Sequence, residues 1–125
     1  MPDFARQRRG ARADLSGRAA EVIARAALLA EGWAILAERA RTPAGELDLV
    51  AEKAGLLAFI EVKSRPSLHG AAHALAPRQQ ARLLAAGEAW MAVNPGHGLA
   101  GVRFDVLLVA ADGTIRRVLD ALRQE

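Results

Sequence analysis

Gly45-Glu46-Leu47-Asp48-Leu49-Val50 and, thirteen residues on from Asp48 to Glu61, Phe59-Ile60-Glu61-Val62-Lys63-Ser64-Arg65 decide how this chain reads. The first segment alternates apolar and polar residues, as a half-buried strand does. The second closes Leu56–Val62, a nearly continuous apolar run expected of a strand covered on both faces. Each strand nevertheless carries charge. Glu46 and Asp48 share one face by the period of two, as do Glu61 and Lys63. A charge inside such a strand costs several kcal/mol unless it is paired or metal-bound. If the hairpin register sets Asp48 across from Glu61, two carboxylates converge beside a lysine, and a divalent cation relieves their repulsion. A shift of one residue would send Asp48 to the opposite face. The plain structural reading of Glu61 and Lys63 is an exposed ion pair at a strand end.

Outward from these strands, the chain reads as α β β β α β β. Residues 1–14 are polar, with Arg6, Arg8, Arg9 and Arg12, and are expected to form a disordered basic arm ahead of a single domain, residues 15–125. Helical spacing of apolar residues runs from about Leu15 to Glu31, with Gly32 suited to the position past a helix C-terminus. Trp33–Arg39 reads as a strand, Thr42–Gly45 as a turn, 46–50 and 56–62 as strands, and Ser64–Ala76 as a loop. Pro77 opens a second helix, which Asn94-Pro95-Gly96 ends after Val93. Strands follow at 102–110 and 114–119, joined at Asp112-Gly113. The expected fold class is α/β, a central mixed sheet flanked by helices.

The 125 residues suffice for one domain, and 52% hydrophobic with 25% charged composition marks a globular chain. With no cysteine, disulfides, thiolate metal sites and a cysteine nucleophile are excluded. No apolar run approaches the ~20 residues of a membrane span. The opening MPDFARQRRGAR lacks the apolar core of a secretory signal, so a cytoplasmic protein with no membrane partner is expected. A net charge of +3 permits a nucleic-acid partner without requiring one.

GELDLV followed by FIEVKSR resembles the acidic residue and Glu-x-Lys of the restriction-endonuclease-like superfamily. More narrowly, the chain resembles the YraN-like family of bacterial proteins, similar to archaeal Holliday-junction resolvases, from the first helix through Arg103-Phe104-Asp105-Val106. The resemblance implies a restriction-endonuclease-like fold and a metal-dependent nuclease acting on DNA, branched or structured DNA included. It makes Asp48, Glu61 and the Val62 carbonyl ligands of Mg²⁺ or Mn²⁺, Lys63 the catalytic lysine, and Glu21 the upstream acidic residue that completes the site. Arg78 and Gln79 match a stretch where the family usually has Lys-Gln. Arg65, Arg78, Gln79 and Arg82 are the expected nucleic-acid contacts. Two departures are visible: Ala20 stands where the family usually has Gly, and Arg39 where Asn is common. Whether two chains pair as a homodimer is left open.

Each of these residues also has a plain reading. Glu21 would pair with Arg25 at i,i+4, and Arg103 with Asp105 as a strand-end ion pair, the reading preferred for these two. His69, His73 and His97 fit zinc poorly, because the first two sit in a Gly/Pro loop. Trp33 and Trp90 read as core or partner surface. A nucleic-acid-binding module without turnover, and a protein-interaction scaffold, are the alternative functions.

Overall fold

A computed structural model describes residues 4–66 and 75–121 of the chain, with side chains in the first helix from residue 17 onward. The expected loop from Ser64 to Ala76, His69 and His73 included, lies largely outside the described residues. In chain order the elements are α1 (Phe4–Ala30), β1 (Ala34–Thr42), β2 (Gly45–Lys53), β3 (Leu56–Arg65), α2 (Pro77–Val93), β4 (Gly101–Ala110) and β5 (Ile115–Val118). The order read from the sequence is the order found. The α1 backbone is helical from Phe4, ahead of the Leu15 start expected from periodicity and across most of the expected arm.

The five strands lie in the sheet in sequence order. Three neighbouring pairs are antiparallel, while β3 and β4 run parallel. A parallel pair needs a crossover, and α2 supplies it. The sheet is covered on both faces. Ala20, Ala24 and Leu28 of α1 pack with Leu49, Ala51, Ala58, Ile60, Leu107 and Val109. Leu83, Ala86 and Trp90 of α2 pack with Val50, Leu57 and Phe59 on the other face. The β3 sequence therefore divides by parity: Ala58 and Ile60 toward α1, Leu57 and Phe59 toward α2. Burial on both faces explains why this run is almost wholly apolar.

Two backbone features place the helices against the sheet. Gly87 lets α2 approach closely, since a Cβ there would stand 2.7 Å from Cζ of Phe104 and 3.2 Å from Cδ2 of Phe59. Phe59 in turn meets Trp90 edge-on at 5.8 Å and Phe104 at 5.1 Å between ring centroids. At the end of α1, Gly32 takes φ +89°, and Lys53 Nζ donates to the Glu31 carbonyl at 2.5 Å. This satisfies one of the carbonyls a helix end leaves unpaired.

The strands β1 and β2 are joined by a turn closed by Thr42, whose hydroxyl donates to the Gly45 carbonyl at 2.7 Å and accepts from the Ala44 N–H at 3.1 Å. The β1 pairing is irregular between Ile35 and Ala37. Arg39 adopts φ 49°, a left-handed conformation that Asn tolerates better than most residues.

Candidate functional site

The site forms where β2 and β3 part. Their paired residues run from Lys53 opposite Leu56 to Leu49 opposite Ile60. One further residue in this register sets Asp48 opposite Glu61, the arrangement that the convergence of the two carboxylates required. Past Leu49, Asp48 takes over the role of a ladder carbonyl: its Oδ2 accepts the Val62 N–H at 2.8 Å. The carboxylate is thereby fixed at the strand end, beside Glu61.

Burial and the Glu61 charge, in that order, push the Asp48 carboxyl up to about 6 from 3.8. The charge of Glu21 adds to the rise, while the Val62 N–H and the Lys63 ammonium oppose it. Only nearby charges act in this way, so Glu21, Glu61 and Lys63 all lie within the electrostatic reach of Asp48. Glu61 is only 7% exposed. Two cations face the same oxygen of it: Lys63 Nζ stands 3.5 Å and an Arg82 guanidinium nitrogen 4.0 Å from Oε1. Lys63 follows Glu61 by two residues on the same face of β3, and Arg82 comes from α2.

Gly45 holds Arg82 in place. A Cβ at Gly45 would lie 3.0 Å from Cγ and 3.1 Å from Cδ of Arg82. The arginine stem thus rests on the bare glycine at the start of the GELDLV segment, with its head toward Glu61. Arg65 donates to the Ser64 carbonyl at 2.8 Å. Arg78 is exposed in the first turn of α2. Gln79 serves the helix start, its Oε1 accepting the Ala76 N–H at 3.3 Å.

Glu21 departs from its plain reading. It is not the partner of Arg25, which reaches across to Glu38 at 3.2 Å. Instead, Nε and a terminal nitrogen of Arg39 both meet Glu21 Oε2 at 2.8 Å. Arg39 is the partner of Glu21 that the sequence reading missed. Its only signal was that it stood where the family commonly has Asn. Arg18, Glu21, Val22, Glu38 and Arg39 line an open groove between α1 and β1.

Elsewhere the plain readings hold. Arg103 clasps Asp105 with contacts of 2.9, 3.1 and 2.9 Å, and the Asp120 N–H adds a fourth at 2.9 Å. This pair, with Asp105 buried, pins the segment after β5 to β4. His97 Nδ1 meets Glu52 Oε1 at 3.1 Å, the Gly98 N–H meets Oε2 at 2.8 Å, and the imidazole lies 5.6 Å from the Trp90 ring. Its role is to anchor the loop before β4. Trp33 and Trp90 are both core residues.

Among the described residues, no three carboxylate or imidazole groups gather closely enough to hold a metal ion by themselves. The donor set at Asp48 and Glu61 still suits Mg²⁺, which commonly takes one or two carboxylates and fills its remaining positions with water and substrate phosphate. Asp48 is hydrogen-bonded through Oδ2 and Glu61 faces its cations through Oε1. The rise of the Asp48 carboxyl is the electrostatic deficit that a cation would relieve.

The profile of the uncharacterised protein family UPF0102 matches residues 20–109, a span that contains every residue of this site. The chain belongs to UPF0102. This is the YraN family that GELDLV and FIEVKSR resemble. A UPF0102 protein of Granulibacter bethesdensis is 54% identical over 115 residues, covering 92% of this chain and 73% of its own length. One from Bradyrhizobium sp. (strain ORS 278) is 49% identical over 106 residues, 85% of this chain and 75% of its own length. A third, from Rhodopseudomonas palustris (strain BisB5), is 53% identical over 95 residues, 76% of this chain and 72% of its own length. The five-stranded mixed sheet with a helix on each face agrees with the restriction-endonuclease-like superfamily. Among the described residues, no helix is long and apolar enough to cross a membrane.

Proposed function

We propose that this UPF0102 protein is a Mg²⁺- or Mn²⁺-dependent nuclease that hydrolyses phosphodiesters in DNA. The observation that carries the reading is the Asp48 carboxylate. It is fixed on the Val62 N–H and raised toward neutrality by burial and by Glu61, with Lys63 on the neighbouring strand. Asp48 and Glu61, joined by the Val62 carbonyl, would hold the ion. Bound there, a divalent cation would polarise a scissile phosphate and acidify a coordinated water.

The chain's own groups have separate tasks. Lys63, largely buried and drawn to Glu61, would orient the attacking water and stabilise the charge that develops on the phosphate. Arg82 faces Glu61 with half of its side chain open to solvent, so it could turn from Glu61 to a phosphate oxygen. Arg65 and Arg78 would hold the flanking backbone.

One observation favours a second reading. Lys63 and Arg82 already balance Glu61, so the charges could serve as a structural network in a DNA-binding or scaffold protein. Labelled duplex, single-stranded and branched DNA incubated with Mn²⁺, Mg²⁺ or EDTA separates these. Metal-dependent cutting that Asp48→Asn and Glu61→Gln each abolish is the expected result. Absence of cutting on every substrate would remove the nuclease reading. Salt-sensitive retention of DNA would then identify a binder, and its absence a scaffold.

A further inference from the structure

We infer that Arg39 acts as a tethered counter-cation that claims Glu21, so that the site takes a single divalent ion and Glu21 is not among its ligands. This rests on the metal-dependent reading above and deepens it.

The geometry carries the argument. Glu21 comes from α1 and Arg39 from β1, so the pair bridges elements eighteen residues apart. Two nitrogens of one guanidinium converge on one oxygen, both at 2.8 Å. Charge-assisted contacts of that length are the stronger kind. Arg39 holds φ 49°, a left-handed conformation that Asn also accepts. Glu21 is the largest influence on the Arg39 charge, with Glu46 and Asp48 each adding less than burial takes away. The guanidinium is therefore held chiefly by Glu21. An ion bound at Glu21 would have to sit against Arg39 and meet like-charge repulsion. The cations at Glu61 stand farther off, 3.5 and 4.0 Å from its Oε1, against the two contacts of 2.8 Å that hold Glu21.

Titration with Mn²⁺, followed by calorimetry and by the paramagnetic resonance of the free ion, tests this without any turnover. The intact chain should bind one ion. Its dissociation constant should change by less than about threefold in Glu21→Gln. In Arg39→Asn, Glu21 is released and a second, weaker ion should appear. In Arg39→Asn combined with Glu21→Gln, that second ion should be lost. Asn accepts the left-handed backbone, so Arg39→Asn is expected to fold, and circular dichroism verifies it. Arg39→Lys keeps the charge and should keep the single ion. Two outcomes overturn the inference while leaving the metal site standing: a loss of about tenfold or more in the first ion's affinity in Glu21→Gln, or an unchanged single ion in Arg39→Asn. A parent that binds no Mn²⁺ at all overturns the metal-dependent reading, and the inference with it.

Discussion

Asp48 is the residue at which the charge balance of the site can be read from stability alone. Its carboxyl titrates near 6 in the folded chain against 3.8 as a reference. Between those values the folded state holds a proton that the unfolded state has lost, so stability falls as pH rises through the window. The loss is complete about one unit above that folded value and is on the order of 3 kcal/mol. Asp48→Asn has no such loss and can still accept the Val62 N–H through its amide oxygen. In EDTA at pH ~7.5 it should melt about 6–15 °C above the parent, with the gap closing toward pH ~4. Mg²⁺ should shrink or reverse the gain, because the parent then acquires binding energy that the variant lacks. Melts across pH with and without Mg²⁺ check this, and a variant less stable in EDTA would make Asp48 a paired structural charge. Lys63→Ala belongs to the same scale. It removes the ammonium 3.5 Å from Glu61. Cleavage should fall by about a hundredfold or more while DNA retention stays within a few-fold. Activity close to the parent's would remove Lys63 from the chemistry.

At the scale of elements, periodicity and turn residues made most of the fold legible. The apolar run of β3, the alternation of β2 and the Pro77 and Asn94 punctuation of α2 each encode one element through local physics. The placement of Asp48 against Glu61 was legible only as a condition on register, and Leu49 opposite Ile60 meets it. Three things were not legible, two of them because they depend on contacts remote in sequence. The left-handed backbone at Arg39 falls inside β1, where no turn residue marks it. The exchange of partners, Glu21 with Arg39 and Arg25 with Glu38, follows from how α1 crosses β1. The need for Gly87 comes from the approach of α2 to Phe104 on β4. Helix propensity alone favours Gly87→Ala by ~1 kcal/mol. The contact at 2.7 Å predicts the reverse, since two packed rings would have to shift at a cost of about 1–3 kcal/mol beyond that gain. Urea melts of Gly87→Ala should show net destabilisation with an unchanged m-value. A more stable variant would mean that the Phe59–Phe104 stack yields easily.

For the whole molecule, a net charge of +3 is too small to explain DNA binding by bulk attraction, so any affinity must come from where the arginines stand. Arg78 and Arg82 lie one turn apart on α2, on neighbouring positions of the helix surface, and Arg82 reaches Glu61. Arg116 is exposed on the edge strand β5 and serves as the control. Each duplex phosphate neutralised contributes a slope of about −0.9 in log K against log salt. Arg78→Ala should therefore flatten the slope by roughly one unit and weaken binding at low salt, with the cleavage position and Mn²⁺ affinity unchanged. Arg82→Ala should flatten it similarly and also slow cleavage at saturating DNA, because its head stands at the site and positions the reacting phosphate. Arg116→Ala should leave both slope and rate alone. Fluorescence anisotropy over a salt series, with single-turnover cleavage beside it, measures all three. Equal flattening by Arg116 and Arg78 would mean that DNA meets the chain through diffuse charge rather than at the α2 end of the sheet. If none of the three alters the slope, phosphate contact at this end is absent and the scaffold reading takes its place.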